Sequence, residues 1–478
     1  MIKKKKFCLL LIILISCALS RPGYSGLKAS PENFLVFISP ACPTAEKVFR
    51  VILVSEARWP ENKLSLICRG KEGQEQALRL LKEGGGPPFW QWWQGKADQP
   101  GVFIIEVMAG QKQIASQQLE VFPSQKKPET VNVFWKTEKS WGRNEENLFS
   151  SWLEALFYGV EEKDSWPDLH SILQDPDKNF LHNHLGLVED DGKLKLKPDC
   201  ADNPFFLRAY FSWKNRLPFG FHECSRGSLF QAPAVGRWLN NELPSGEKDE
   251  IKKFSRLLRL VMDTVHSGTA RTRLTDDRSD YYPLPLSRNQ LRPGTVYADP
   301  YGHTLVIVRW VPQTEQSAGL LLAVDAQPDG TIGLKRFWKG NFLFAIEEVV
   351  GQPGFKAFRP IIKSGSQLHL MTNKEIQDSG DYGNFSLEQQ ELKPELFYQK
   401  MERLINPEPL DPEVALRELY RALYEQLLVR VESVENGEKY LRAHPHEIIP
   451  MPSGSAVFLA TGPWEDFSTP NRDLRLLI

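Results

Sequence analysis

The sequence predicts an α+β protein of several domains. Strand-like runs dominate the first quarter of the 478-residue chain, helical periodicity follows, further strand-like runs come next, and a helical region ends the chain. A helical half followed by a sheet-forming half is typical of an α+β domain. A chain of this length exceeds the size at which one hydrophobic core suffices, so we expect two to four domains.

Residues 1–20 predict an export signal. Lys3 to Lys6 precede the segment 7–16, which is apolar apart from its last residue and too short to span a bilayer. Ala18-Leu19-Ser20 resembles a small-residue cleavage site, whereas the sequence ending at Cys17 resembles a lipoprotein box in which Cys17 would be acylated. We expect an exported protein, either periplasmic, secreted or an outer-membrane lipoprotein, that touches the membrane only through a lipid on Cys17.

Residues 31–122 predict an immunoglobulin-like β-sandwich. Short apolar runs alternate with turn residues and show little helical periodicity, at 34–38, 48–54, 64–67, 102–107 and 114–121. A core position is favoured for some of the aromatic residues Trp90, Trp92 and Trp93, because aromatic side chains carry large apolar areas. Cys42 and Cys68 lie in or beside candidate strands, and an oxidising compartment favours a disulfide between them.

Residues 135–360 predict an α+β domain with a helical insertion at 231–268. Helical spacing appears at 145–158, 167–174 and 205–213, and Pro204 predicts that the last of these helices begins there, capped by Asp202 or Asn203. The insertion places apolar residues on one face: Phe254, Leu257, Leu258, Val261, Met262 and Val265. Strand-like runs occupy 193–197, 294–297, 304–311, 320–324, 331–338 and 342–346.

Residues 384–478 predict a mainly helical C-terminal region. Asp411 and Pro412 are typical of a helix start. The apolar residues that follow recur at intervals of three and four: Val414, Ala415, Leu419, Leu423, Leu427 and Val431.

Three residues suggest nucleophilic chemistry. Cys200 precedes a helix-like stretch, where unpaired backbone N–H groups and the positive end of the helix dipole lower a thiol pKa. His303 heads a β-branched run, so it is the best-placed base. Asp325 ends the next apolar run, which pairs antiparallel with the His303 strand and can orient the imidazole. Asp329 is the weaker candidate for this orienting carboxylate, and Asp325 could instead be a turn residue.

These residues resemble the papain-like cysteine superfamily. Asp199-Cys200-Ala201-Asp202, Arg292-Pro293-Gly294-Thr295-Val296 and Gly302-His303-Thr304-Leu305 are similar to the NlpC/P60 and CHAP amidase pattern, and the same residues with Leu217-Pro218-Phe219 also resemble transglutaminase-like proteins. The resemblance covers about residues 140–350. It implies a papain-like catalytic domain with Cys200 as nucleophile, His303 as base and Asp325 as orienter, and in the first family an activity on peptidoglycan peptides.

Composition and cysteine count leave other interpretations open. The net charge of −1 gives no electrostatic footprint for nucleic acid. Cys200 could pair with Cys224 in a disulfide, and the chain would then be a catalytically inactive papain-like scaffold or a binding protein of the cell envelope. His182, His184, His222 and Cys224 match no standard zinc spacing, so we expect neither a metal nor another cofactor.

Overall fold

The computed structural model describes residues 34–59, 64–71, 73–125, 131–160, 165–192, 194–227, 231–300, 302–327, 329–345 and 352–446. The chain mixes helices with antiparallel sheets, and the predicted α+β class is confirmed. The predicted export signal at 1–20, Cys17 and the end of the C-terminal region from 447 lie outside the described residues. Within the described residues, no helix combines the length and apolarity that crossing a bilayer requires.

Residues 34–121 form two four-stranded antiparallel sheets. The first has the order β1 (Phe34–Ser39), β2 (Val48–Ser55), β6 (Phe89–Lys96) and β5 (Leu78–Gly85). The second has the order β4 (Glu75–Gln76), β3 (Leu64–Gly70), β7 (Gly101–Ala109) and β8 (Lys112–Val121). Alternate side chains such as Val51, Leu53, Ile105 and Val107 fill the space between the sheets.

The outer face of the first sheet is also buried, against helix α1 (Arg143–Leu156). Ile52 and Val54 share a core cluster with Trp152 of this helix. The indole Nε1 of Trp90 donates a hydrogen bond of 2.8 Å to the Glu154 carboxylate. The outer face of the first sheet and helix α1 therefore share one core cluster. The expectation that tryptophans of this region are buried is confirmed, because Trp90 and Trp92 are at most 1% exposed.

A seven-stranded antiparallel sheet organises the rest of the molecule. Its order is β12 (Tyr281–Pro283), β17 (Gly354–Phe358), β13 (Val296–Ala298), β14 (Thr304–Val311), β15 (Leu320–Ala326), β16 (Ile332–Arg336) and β9 (Ser165–Trp166). Val306, Val308 and Val324 face the cluster that contains α1 and α3 (Asp202–Asn215). Leu305 and Ile307 face the opposite cluster, which α6 (Pro394–Ile405) completes. The sheet is thus buried on both faces.

The remaining helices, hairpins and 3₁₀ turns complete the fold. The helices are α2 (Leu169–Leu173), α4 (Glu250–Thr264), α5 (Asn373–Asp378) and α7 (Pro412–Ala443), with 3₁₀ turns at Thr269–Arg271 and Glu388–Glu391. Two hairpins pair β10 (Gly220–Cys224) with β11 (Val235–Asn240), and β18 (Ile361–Ser364) with β19 (Gln367–Leu370). The predicted cap of α7 is confirmed, because the Asp411 carboxylate accepts the N–H of Glu413 at 2.9 Å. The predicted domain boundaries stay predictions.

Several predicted elements were wrong. Residues 342–345 form no strand, because Phe342 and Phe344 turn into the core. There the Phe344 ring stacks on the Phe397 ring, with 3.9 Å between the ring centroids. Residues 194–197 likewise form no strand. The region 231–268 is not wholly helical, since β11 precedes α4.

Two further predictions from single residues were wrong. Met262 is 48% exposed because it lies at the edge of the apolar face of α4, whereas Phe254 and Val261 at its centre are buried. Cys68 carries a free, buried thiol in the sandwich core, so the predicted bridge to Cys42 is not formed.

Candidate active site

Cys200 lies in the first helical turn that leads into α3. The Asp199 carboxylate accepts the N–H groups of Ala201 and Asp202 at 2.9 and 3.0 Å, and the Asp199 carbonyl accepts the N–H of Asn203 at 3.0 Å. These bonds make Asp199 the cap of the turn. The expectation that the helix begins at Pro204 behind a cap at Asp202 or Asn203 was therefore wrong. Cys200 stands at the helix N-terminus rather than one turn before it.

Pro204 interrupts the hydrogen-bond ladder of this turn without ending it. Proline has no N–H group, so position 204 cannot donate to the carbonyl of Cys200. Ala201 nevertheless has helical dihedral angles, with φ −76° and ψ −36°. Asp199 accepts the two N–H groups that follow Cys200, and within the described residues no hydrogen-bond acceptor is found for the N–H of Cys200 itself.

His303 and Asp325 meet across two paired strands. His303 immediately precedes β14, Asp325 is the penultimate residue of β15, and Val306 pairs with Val324. This register makes the two residues diagonal neighbours on one face of the sheet. The imidazole Nε2 lies 2.9 Å from the Asp325 Oδ2 atom. The side chain of Asp325 is 2% exposed and that of His303 is 30% exposed.

Two glycines make room for this pair. Gly302 adopts a φ of +108°, and a side chain there would approach the Ser267 hydroxyl to 3.0 Å. Gly333 pairs with Asp325 on the neighbouring strand, and a Cβ at Gly333 would lie 3.0 Å from the Asp325 carboxylate. The sequence analysis did not single out Gly333, because its importance depends on strand register.

The third member of the predicted set also reaches His303. Cys200 lies close enough to His303 to raise the pKa of the imidazole. Since Nε2 of this imidazole faces Asp325, its Nδ1 atom is the one left for the thiol. The structure therefore brings Cys200, His303 and Asp325 together, in that order. Asp329, the weaker candidate, instead accepts a hydrogen bond from the backbone of Thr331 at 2.9 Å.

The electrostatics of the set favour a charged imidazole. Burial would lower the pKa of His303, but hydrogen bonds to Asp325 and Cys200 and attraction to both groups raise it to about 10. Burial would likewise raise the pKa of Asp325, yet the charges of Lys335 and His303 lower it.

Two carboxyl groups, those of Asp199 and Asp202, flank Cys200 in the sequence. Burial and the charge of Asp199 raise the pKa of Asp202 to about 7. The Asp202 side chain is 5% exposed, whereas Asp199 is exposed. The charge of the Cys200 turn therefore changes near neutral pH as Asp202 loses its proton.

Gln327 is a further member of the site. Its side-chain amide donates a hydrogen bond of 2.8 Å to the Asp325 Oδ2 atom, which also contacts His303. Gln327 follows Asp325 by two residues, so strand alternation could have indicated that both side chains share one face. Lys335 was also missed, and no signal in the sequence relates it to Asp325.

The other histidines and cysteines considered in the sequence lie in separate surroundings. His222 Nδ1 lies 2.7 Å from Asp280, His184 Nδ1 lies 3.0 Å from the Ser39 hydroxyl, and His182 lies 3.0 Å from Asp191. Within the described ranges, no three His, Cys, Asp or Glu side chains are arranged to hold a metal ion. Cys200 and Cys224 are both free thiols, so no disulfide joins them.

Comparison with known proteins adds no relative. No protein-family model matches the chain, and no curated protein matches it significantly.

Proposed function

We propose that this chain is an exported cysteine hydrolase or acyltransferase that acts on amide bonds. In this proposal Cys200 is the nucleophile, His303 the acid and base, and Asp325 the group that orients the imidazole. The observation that supports it most directly is the His303 imidazole, which lies 2.9 Å from a buried carboxylate and whose pKa is raised by both that carboxylate and the nearby Cys200 thiol. The proposal includes a papain-like catalytic fold preceded by an immunoglobulin-like sandwich.

The chemistry follows from the positions of these groups. The Cys200 thiolate attacks the amide carbonyl carbon and forms a C–S bond, and the oxygen takes up negative charge beside the free N–H of Cys200. His303 transfers its proton to the amide nitrogen, and the C–N bond breaks to release an amine. Water or a second amine then gives a proton to His303 and attacks the acyl thioester. Breaking the C–S bond releases the acid or new amide and regenerates the thiolate.

Cell-envelope peptides are the proposed substrates. The export signal predicted at residues 1–20 would bring the chain to that compartment, and the NlpC/P60 resemblance implies peptidoglycan peptides. The proposal distinguishes neither hydrolysis from acyl transfer nor one peptide bond from another.

Two cysteine variants test the proposal. Cys200→Ala and the control Cys224→Ala should be compared with the wild-type protein on peptidoglycan fragments. Burial raises the pKa of Cys224 to about 12, which leaves its thiol unreactive near neutral pH. We expect Cys200→Ala to abolish turnover and Cys224→Ala to keep it. Equal turnover by Cys200→Ala and the wild type would refute the proposal.

An inactive scaffold is the second candidate function. The carboxyl groups of Asp199 and Asp202 beside Cys200 favour it, because they disfavour a further negative charge on the thiol. Iodoacetamide separates the two candidates. Rapid and selective alkylation of Cys200 near pH 7 supports an enzyme, whereas a slow reaction at both Cys200 and Cys224 supports a binding protein of the cell envelope.

A further inference from the structure

The described side chains of helix α7 contact the body of the protein along one face. The helix spans 32 residues, Pro412–Ala443, which corresponds to about 48 Å at the usual rise. Among its side chains that the structure describes, only Ala422 is buried. Arg336 of β16 pairs with Glu418 at 3.0 Å and with Glu425 at 3.1 Å. Glu418, Ala422 and Glu425 follow each other at intervals of four and three, so they lie on one face of the helix.

The opposite face of α7 is apolar and exposed. At about 100° per residue, its large side chains cover roughly half of the circumference, centred opposite the attached face. We call them the α7 apolar face: Leu416, Leu419, Tyr420, Leu423, Tyr424, Leu427, Leu428 and Val431. Their exposed fractions run from 45% at Leu423 to 65% at Tyr420. In contrast, Phe397 and Met401 of α6 are fully buried.

This area is larger than a monomer normally leaves exposed. Large apolar side chains have on the order of 200 Å² each, so eight that are about half exposed present roughly 800 Å². The largest apolar patch on a typical monomer is about 300–600 Å². A stable interface buries about 800 Å² per partner. The α7 apolar face therefore has the area that one side of a dimer interface needs.

We propose that the α7 apolar face binds the same face of a second copy of this chain, in a two-fold symmetric dimer. Between Leu416 and Val431 this face is predominantly apolar, and such a face can pair with a copy of itself across a two-fold axis. Its two tyrosines are of the residue type enriched at interface centres. The charges of α7 argue against a lipid surface as the partner: six glutamates stand against five basic residues, whereas helices that lie on membranes are rich in Lys and Arg.

The oligomeric state of the full chain tests this proposal. Sedimentation equilibrium from roughly 1 to 100 µM covers the range in which interfaces of this area associate. We expect a dimer for the wild type, and at least a 100-fold increase in Kd for the double variant Leu423→Glu/Leu427→Glu. The matched control is Leu396→Glu on α6, where the side chain is 50% exposed outside the α7 apolar face. This control should dimerise like the wild type.

A second double variant, Tyr420→Arg/Tyr424→Arg, guards against misfolding of the first, and far-UV circular dichroism checks that both are folded. A folded variant that dimerises as tightly as the wild type would overturn the proposal. So would a wild type that is monomeric at the highest concentration, forms a series of larger species, or sediments with phosphatidylglycerol vesicles as a monomer.

Discussion

The side-chain amide of Gln327 and the imidazole of His303 both contact the Oδ2 atom of Asp325, at 2.8 and 2.9 Å. The carboxylate is 2% exposed, so these two contacts fix its orientation away from bulk water. Gln327 is thus a positioning residue, which acts on the proposed base through Asp325.

Replacing Gln327 tests this positioning. We expect Gln327→Leu to lower kcat on amide substrates by about tenfold and to leave KM nearly unchanged, because small misplacements of a catalytic group reduce the rate more than binding. Gln327→Asn shortens the side chain, so its kcat should stay close to that of Gln327→Leu. If Gln327→Leu instead changes KM and leaves kcat intact, the residue contacts substrate and does not orient Asp325.

Asp325→Asn should have a larger effect. The amide carries no charge, so it removes the attraction that raises the His303 pKa, and it can select the wrong imidazole tautomer. We expect turnover to fall by on the order of 100-fold or more. Cys200 alkylation should also become slower near neutral pH. Turnover close to that of the wild type would exclude Asp325 from the mechanism.

The stability of the protein should depend on pH through His303. Its pKa rises from an ordinary value of about 6.5 in the unfolded chain to about 10 in the folded protein. The stabilising contribution is therefore fully present below pH 6.5, declines as pH rises, and is lost above about pH 10. Urea unfolding of the wild type and His303→Gln should show a free-energy difference that shrinks from pH 6 to pH 10. A difference that grows with pH would contradict this assignment.

Asp199→Asn should increase the reactivity of Cys200. Asparagine caps a helix about as well as aspartate, so the free energy of unfolding should change by less than about 1 kcal/mol. Loss of the Asp199 charge removes one negative charge near the thiol, and the lower pKa of Asp202 that follows restores only part of it near neutral pH. Alkylation with iodoacetamide across pH 5–9 measures the thiolate fraction. An unchanged alkylation profile would mean that Asp199 acts only as the helix cap.

Lys214 should be essential for stability. Its ammonium group lies 2.5 Å from Glu189 and 2.6 Å from Asp190, and all three side chains are at most 1% exposed. Lys214→Met leaves two buried carboxylates without a cation, so we expect a loss of about 3–5 kcal/mol in urea unfolding. Arg237→Ala is the control, because Arg237 and its partner Glu223 form an exposed ion pair. This substitution should lower the free energy of unfolding by less than about 1 kcal/mol.

The sequence was most informative where one physical signal dominated. The β-branched run 304–311 coincides with β14, because a strand buried on both faces is apolar throughout. The candidate site was also accessible, since Cys200, His303 and Asp325 each stand at the end of an apolar element. The structure brings the three side chains together, although their catalytic role stays a prediction.

The failures have a common cause in tertiary contacts. The aromatic segment 342–345 has the composition of a strand, but its phenylalanines fill a gap beside Phe397 of α6, more than 50 residues later in the chain. Lys335 matters only through the strand register around Asp325, which the sequence does not specify. Strands β4, β5 and β6 were not predicted because polar residues, glycines and tryptophans replace the alternating aliphatic pattern in them.

The core that joins Ile52 and Val54 to Trp152 determines how this protein can be divided. Expressing the chain from residue 123 onward would expose to solvent the α1 surface that normally contacts the tryptophan-rich sheet. The separated sandwich would expose the tryptophans themselves. Heating the intact chain should accordingly melt both regions in a single cooperative transition, in contrast to proteins whose modules are strung on independent linkers.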